Sequence, residues 1–332
     1  MHGGSHMLCR MRLLGLLLLL VARYGLAEPH VATFSIVAAD PEAGEVGVAV
    51  ASRFFAVGSV VPFGEGGVGA VATQANADVS FGPRGLELLA RGVTPDEIVS
   101  ILLRDEPADN GRQFGIVAAD GKSSTYSGPG CLPWAGGRAG PDYAVQGNIL
   151  TGEDVVIAME QAFLSTQGTL ADRLYAALLA GDDKGGDSRG KQSAALIVRK
   201  PGTGYGGKND RAIDIRVDDH AEPFRELGRL LDYAQMNYAW NEAWTAFVEK
   251  DFATALSPME RAAGLAADVA EVQYDLAVIR IANEDREGAL TALKKALDLN
   301  PRLRDQAAKD DDLEALRKDE RFAALIAQQA AQ

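Results

Sequence analysis

Apolar and polar positions alternate over Thr33–Ala39 and again over Val46–Ala51, and Asp40-Pro41-Glu42-Ala43-Gly44 between them supplies a turn. Period-two alternation broken by turn residues predicts a β-hairpin. Val60–Ala72 is a further β-type stretch, rich in Gly and Val. The period then lengthens. Gly85–Arg91 and Thr94–Arg104 read as helices, the second with Thr94 as N-cap, Pro95 in the first turn and Glu97 placed to complete a capping box. Phe114–Ala118 and Ser123–Tyr126 predict a second hairpin around Asp120-Gly121. Helices are expected over Glu153–Leu164 and Thr169–Ala180, then strands near Gln192–Arg199 and Ala212–Val217, then a helix from about Pro223 to Gln235. Hairpin turns between sequential strands favour antiparallel sheets covered by helices over a doubly wound parallel sheet.

No strand pattern survives past about residue 235. Trp240, Trp244, Phe247, Phe252, Ala255 and Ala262 recur at helical spacing, as do Tyr274, Leu276, Ala277, Ala289, Leu293, Ala296 and Pro301. Ala255 and Ala262 precede Ala289 and Ala296 by 34 residues, the period of tetratricopeptide helix pairs. Residues 270–303 match such a unit closely, with Pro301 closing it; residues 236–269 match more weakly, and Arg304–Ala327 suits a capping helical turn. A plain helical bundle is the other interpretation of this pattern. The expected division is therefore 33–235 and 236–332, with the helical part a candidate docking surface for a protein partner.

The first 27 residues change the picture of where the protein works. Arg10 and Arg12 precede the apolar run Leu13–Ala22, and Gly25-Leu26-Ala27 follows as a small-x-small site. This is the signature of a signal peptide, predicting export to the periplasm or beyond. A run of about ten apolar residues is too short to span a bilayer, so no transmembrane segment is expected after cleavage. Cleavage after Ala27 removes three Arg and no acid, leaving 30 basic against 46 acidic side chains, a formal charge of −16. So acidic a chain argues against nucleic acid and anionic membrane as partners. Cys131 remains as a single cysteine, which excludes an internal disulfide. Only His30 and His220 remain, which excludes a multi-His zinc site. No phosphate-cradling loop of the P-loop or dinucleotide type is present. No cofactor is implied, and no pattern fixes an oligomeric state.

Six stretches carry a resemblance. They are Thr33-Phe-Ser-Ile-Val-Ala, Gly47-Val-Ala-Val-Ala-Ser, Gly67-Val-Gly-Ala-Val-Ala-Thr-Gln, Gln146-Gly-Asn-Ile-Leu, Gly185-Gly-Asp-Ser-Arg-Gly-Lys-Gln-Ser-Ala-Ala-Leu and Arg216-Val-Asp-Asp-His. Residues 33 to about 232 resemble the domain of unknown function 1028 family, which is placed among the Ntn-hydrolase-like folds. The resemblance implies a four-layer αββα Ntn-hydrolase-like sandwich; with the C-terminal all-α helical-repeat domain read from the 34-residue spacing, the fold class expected is α+β. It implies no reaction, because the family is itself uncharacterised.

Within that resemblance Thr33 is the nucleophile candidate. In an N-terminal nucleophile enzyme the α-amine takes the hydroxyl proton, the hydroxyl attacks a carbonyl, and amide donors hold the oxyanion. A Thr opening a strand is equally a good strand residue. Signal cleavage after Ala27 leaves Glu28–Ala32 ahead of Thr33, so a second cut is required. Proteasome-type members also carry an acid before a Ser-Arg pair and a Lys on a following strand. Here Ala51 precedes Ser52-Arg53, and no Lys occurs before Lys122. After Trp134-Ala135-Gly136, where family members often carry His, this chain has Gly137.

Other candidates surround Thr33. In the loop Gly185–Gln192, Asp187, Arg189 and Gln192 crowd three polar groups into one connection, the kind of loop that carries function. Arg189 would bind a substrate carboxylate and Gln192 would donate to an oxyanion; an internal Asp187–Arg189 bridge is the equal alternative. Gln74 and Asn76 are possible oxyanion donors, and Asn148 and Ser193 join them as substrate-binding candidates. Asp218-Asp219-His220 offers metal ligands or a general base, against the plainer expectation that Asp218 or Asp219 caps a helix and His220 is solvated. Cys131 offers a Cys-His nucleophile, against a structural thiol. The expectation is an exported hydrolase of an amide or related acyl bond in a small molecule or peptide. The rival is a non-catalytic binding protein working through sandwich and repeats.

Overall fold

The computed structural model describes residues 33–327. The expected signal peptide and Glu28–Ala32 lie outside the described residues. The opening hairpin forms as the alternation requires: β1 (Thr33–Asp40) pairs antiparallel with β2 (Glu45–Ser52), Phe34 opposite Ala51. Next come β3 (Pro62–Glu65), β4 (Gly69–Ala75), α1 (Phe81–Ala90), α2 (Pro95–Leu102), β5 (Arg112–Ala118) and β6 (Ser123–Ser127). Then follow β7 (Gly136–Gly140), β8 (Tyr143–Asn148), α3 (Asp154–Ser165), α4 (Leu170–Asp183), β9 (Ser193–Thr203) and β10 (Asn209–Val217). Two antiparallel sheets result, one of six strands in the order β10-β9-β2-β1-β8-β7 and one of four in the order β3-β4-β5-β6.

The side-chain alternation of β1 sorts its residues between two cores. Phe34, Ile36 and Ala38 pack with Met159 and Phe163 of α3 and Leu174 and Leu178 of α4. Val37 and Ala39 point the other way and meet Val46, Val48, Val50, Ala70, Ala72 and Val117 in a core shared by the two sheets. The outer face of the four-stranded sheet, with Val71, Phe114 and Ile116, packs on Leu86 of α1 and Ile98 of α2. The layers therefore run helices, sheet, sheet, helices. At α2 the capping box forms, with the Glu97 carboxylate accepting from both the Thr94 N–H and its hydroxyl.

Two features depart from the sequence pattern. Strands β7 and β8 carry no strand signal, because Gly-Gly-Arg-Ala-Gly has no β-branched residue and β8 is buried on both faces. The helix beginning at Pro223 (α5, Pro223–Val248) runs straight through residue 235. Its Phe224, Leu227 and Leu231 pack against the six-stranded sheet, whereas its Met236, Ala239, Ala243 and Ala246 enter a separate helical core. The composition changes at 235 because the helix changes neighbours there.

That second core is built by the C-terminal half of α5 with α6 (Phe252–Leu265), α7 (Ala270–Ala282), α8 (Arg286–Leu299), α9 (Leu303–Ala307), a 3-10 turn over Asp311–Leu316 and α10 (Glu320–Ala327). Ala255, Ala262, Ala289 and Ala296, spaced at the 34-residue offset, are all fully buried. Small residues there let paired helices approach closely. Among the described residues no helix is long and apolar enough to cross a membrane.

Candidate functional site

Strand register assembles the site at one end of the space between the sheets. Thr33, the first residue of β1, pairs with Asn148, the last of β8. Ser52, the last of β2, pairs with Ser193, the first of β9. The Thr33 hydroxyl donates to the Ser52 hydroxyl at 3.2 Å, joining the two pairs into one row. On the facing sheet Gln74 pairs with Gln113 and Gln113 with Ser127. Thr33, Gln74, Gln113, Asn148, Ser52 and Ser193 are all buried. The layer that is apolar at Val48 and Val117 becomes wholly polar here.

Buried amides are costly unless satisfied, and these satisfy one another. The Gln113 Oε1 accepts from Gln74 Nε2 at 2.8 Å and from Asn148 Nδ2 at 2.9 Å. Gln113 Nε2 donates to Gly147 O and to Ser127 Oγ, both at 2.7 Å. Gln74 Nε2 also reaches Thr33 O at 3.2 Å, while its Oε1 accepts from Ser35 Oγ at 2.6 Å. Gln146 Nε2 donates to Ser35 Oγ at 2.6 Å, and Thr125 Oγ1 donates to Gln146 Oε1 at 3.1 Å. Two glycines make room: a Cβ at Gly115 would collide with the Gln146 amide, and one at Gly137 would lie 2.8 Å from Thr125 Oγ1 and Val145 O.

Ser35, Gln113 and Gln146 were not legible as site residues from the sequence alone. The signal that finds them is an inward-facing polar residue on a strand whose other inward positions are apolar. Ser35 in Thr-Phe-Ser-Ile-Val is such a case, since it shares a face with Val37.

The loop ahead of β9 closes the same end. Asp187 is buried, and its isolated bridge with Leu150 ties the loop to the residues after β8. Its carboxylate accepts from Arg53 N at 2.8 Å, Arg189 N at 3.0 Å, Arg189 Nε at 3.1 Å and Arg189 Nη2 at 2.9 Å. The internal Asp187–Arg189 bridge thus forms, and it fixes Arg53, the residue after Ser52. Ser193 is committed to structure: its hydroxyl donates to Phe54 O and accepts from Val57 N at 3.2 Å. A cavity of about 110 Å³ touches Phe34, Ser52, Asp187, Gly190 and Ser193.

The remaining candidates stand apart from this seam. Gln192 Nε2 donates to Asp219 Oδ1 at 3.1 Å, away from Thr33. Asn76 is half-buried at the end of β4, its main chain bonded to Gly111 and to the Arg112 guanidinium. Neither Asp218 nor Asp219 caps α5. His220 Nδ1 instead accepts from Glu222 N at 3.0 Å, because the ring reaches the open N–H two residues on. Among the described residues no three His, Cys, Asp or Glu side chains group to hold a metal ion. Burial pushes the Cys131 thiol above its usual range, which opposes thiolate chemistry.

Two packed antiparallel sheets with a hydroxyl-and-amide seam at one end define the class of structure. The family described as "Family of unknown function (DUF1028)" matches residues 33–227, and the chain belongs to it. Protein SPO2555 from Silicibacter pomeroyi, a DUF1028 crystal structure, is similar, with 29% identity and a TM-score of 0.55. The match covers 61% of this chain and 89% of that one. No curated protein matches. The helical region beyond residue 227 lies outside the family match.

Proposed function

We propose that this is an exported amide or acyl hydrolase of the N-terminal nucleophile type, its layered sandwich being of the Ntn-hydrolase-like class and Thr33 its nucleophile. The observation that carries this reading is the position of the Thr33 hydroxyl, 3.2 Å from Ser52 Oγ in a buried seam of amides at the end of the sheet. Export through residues 1–27 and a second cut before Thr33 would expose its α-amine. That amine would take the hydroxyl proton as Oγ1 attacks the substrate carbonyl, then return it to the leaving amine. Asn148, beside Thr33 on β8, gives one of its two amide hydrogens to Gln113 and carries a second that suits an oxyanion. Gln113 and Gln74 act as positioning residues for Asn148 and for the Thr33 carbonyl. Asp187 holds the Arg53 loop that borders Ser52.

The test compares wild type with Thr33→Ala against a library of amides and small peptides, both proteins beginning at residue 33. Turnover in the wild type and none above background in the variant supports the proposal; equal turnover sinks it.

One observation favours a binding protein instead: the Gln74, Gln113 and Gln146 amides are committed to hydrogen bonds within the seam, and Asp187 is closed on Arg189. On that reading the helical region, as tetratricopeptide-like repeats, recruits a protein partner and the sandwich is its scaffold. Absence of turnover together with capture of a partner by residues 236–332 would favour it.

A further inference from the structure

A second cavity lies at the opposite end of the six-stranded sheet, where α5 crosses it and the C-terminal end of α6 adjoins. It has a volume of about 480 Å³ and is lined by both the sandwich and the helical region. Val46 pairs with Arg199, so the residues one step outward, Glu45 and Lys200, share the helix-facing side of the sheet. Opposite charges so placed ordinarily form an ion pair. Here none forms. Glu45 is 9% exposed and accepts only from Tyr238 Oη, at 3.3 Å. Half-buried Lys200 has no side-chain hydrogen bond or ion pair among the described residues.

Four of the other polar groups in the cavity are matched to one another. Arg261 pairs with Glu242 at 2.6 Å, and Gln235 donates to Asp172 at 2.7 Å. Asp40 also lines the cavity, its Oδ1 accepting from the Ala43 N–H at 3.0 Å. Glu45 and Lys200 are the opposite charges that face each other across the strand pair without an ion pair and remain to receive a ligand. Burial pushes the Glu45 carboxyl above its usual range, with the Lys200 ammonium opposing; an incoming cation relieves that cost. The rest of the wall is apolar, from Leu170, Val198, Ile213 and Leu265.

We propose that this cavity binds a free α-amino acid with an apolar side chain, its carboxylate on Lys200 and its ammonium on Glu45. An α-amino acid carries its ammonium and its carboxylate on one carbon, which fits a gap between two cross-strand partners. The aliphatic wall takes the side chain. Because α6 contributes Leu265 and Arg261, the ligand bridges the sandwich and the helical region. The site shares no residue with the Thr33 seam and does not depend on the hydrolase reading.

The experiment is calorimetric titration of the full chain with leucine, leucinamide and 4-methylpentanoate. Leucine should bind saturably, and each analogue, lacking one charge, at least about tenfold more weakly, the worth of one charge-assisted contact. Lys200→Met and Glu45→Gln should each weaken leucine at least about tenfold. No binding of leucine, equal binding of all three compounds, or unchanged affinity in Lys200→Met overturns the proposal. Should Glu45→Gln fail to fold, the two analogues and Lys200→Met still decide it.

Discussion

The two ends of the space between the sheets are built from opposite chemistry on the same strands. At the Val46 end, β1, β2, β4 and β5 meet through Val37, Val48, Ala70 and Val117. At the Thr33 end the same strands meet through Thr33, Ser52, Gln74 and Gln113, all buried. An apolar seam would hold the sheets at no polar desolvation cost. The polar end carries a desolvation cost that the apolar end does not, and hydrogen bonds among its own side chains and main chain offset it.

The largest expected effect comes from breaking the polar end at its hub. Gln113→Leu removes the acceptor of Gln74 and Asn148 and the donor to Gly147 O. With each orphaned buried group costing about 1–3 kcal/mol, denaturant unfolding should show a loss of at least about 3 kcal/mol. At the apolar end, Val48→Ala deletes two methyl groups and leaves a small void, and should cost about 2 kcal/mol in the same measurement. If Gln113→Leu is the milder change, the polar seam is not a coupled network.

Asp187→Asn sharpens the comparison at the rim. It keeps one acceptor oxygen but loses the ion pair to a partly exposed Arg189, so about 1–2 kcal/mol should be lost.

A buried charge outside the seam gives the smallest effect and the opposite sign. Asp275 accepts from Trp240 Nε1 at 2.8 Å, and burial raises its pKa to about 6 from 3.8. The folded state then binds more protons between these values, so this group's contribution to stability is present below about pH 4 and lost as pH rises through 6. Asp275→Asn cannot ionise. At pH 7.5 it should be more stable than wild type by about 1 kcal/mol, discounted for partial exposure, and the advantage should vanish near pH 4 in thermal melts.

What was legible in the chain follows the reach of local rules. The opening hairpin and the Thr94–Glu97 box are local, and both formed. Thr33, Gln74 and Asn148 converge through register, which local pattern does not encode, and they were singled out through resemblance and residue chemistry. Gln113 was missed because its importance lies in contacts with β4 and β8, far away in sequence. Strand β7 was missed because its glycines serve clearance, as at Gly137 beside Thr125. Asp187 and Arg189 carried two readings, and the ion pair between them is what formed.

The central claim is that Thr33 becomes the chain terminus and its amine activates its own hydroxyl. Determining the N-terminal residue of the protein isolated from its native host by mass spectrometry tests that claim most directly. A mature chain beginning at Thr33 is the predicted result. One beginning at Glu28, or anywhere else ahead of Thr33, contradicts it.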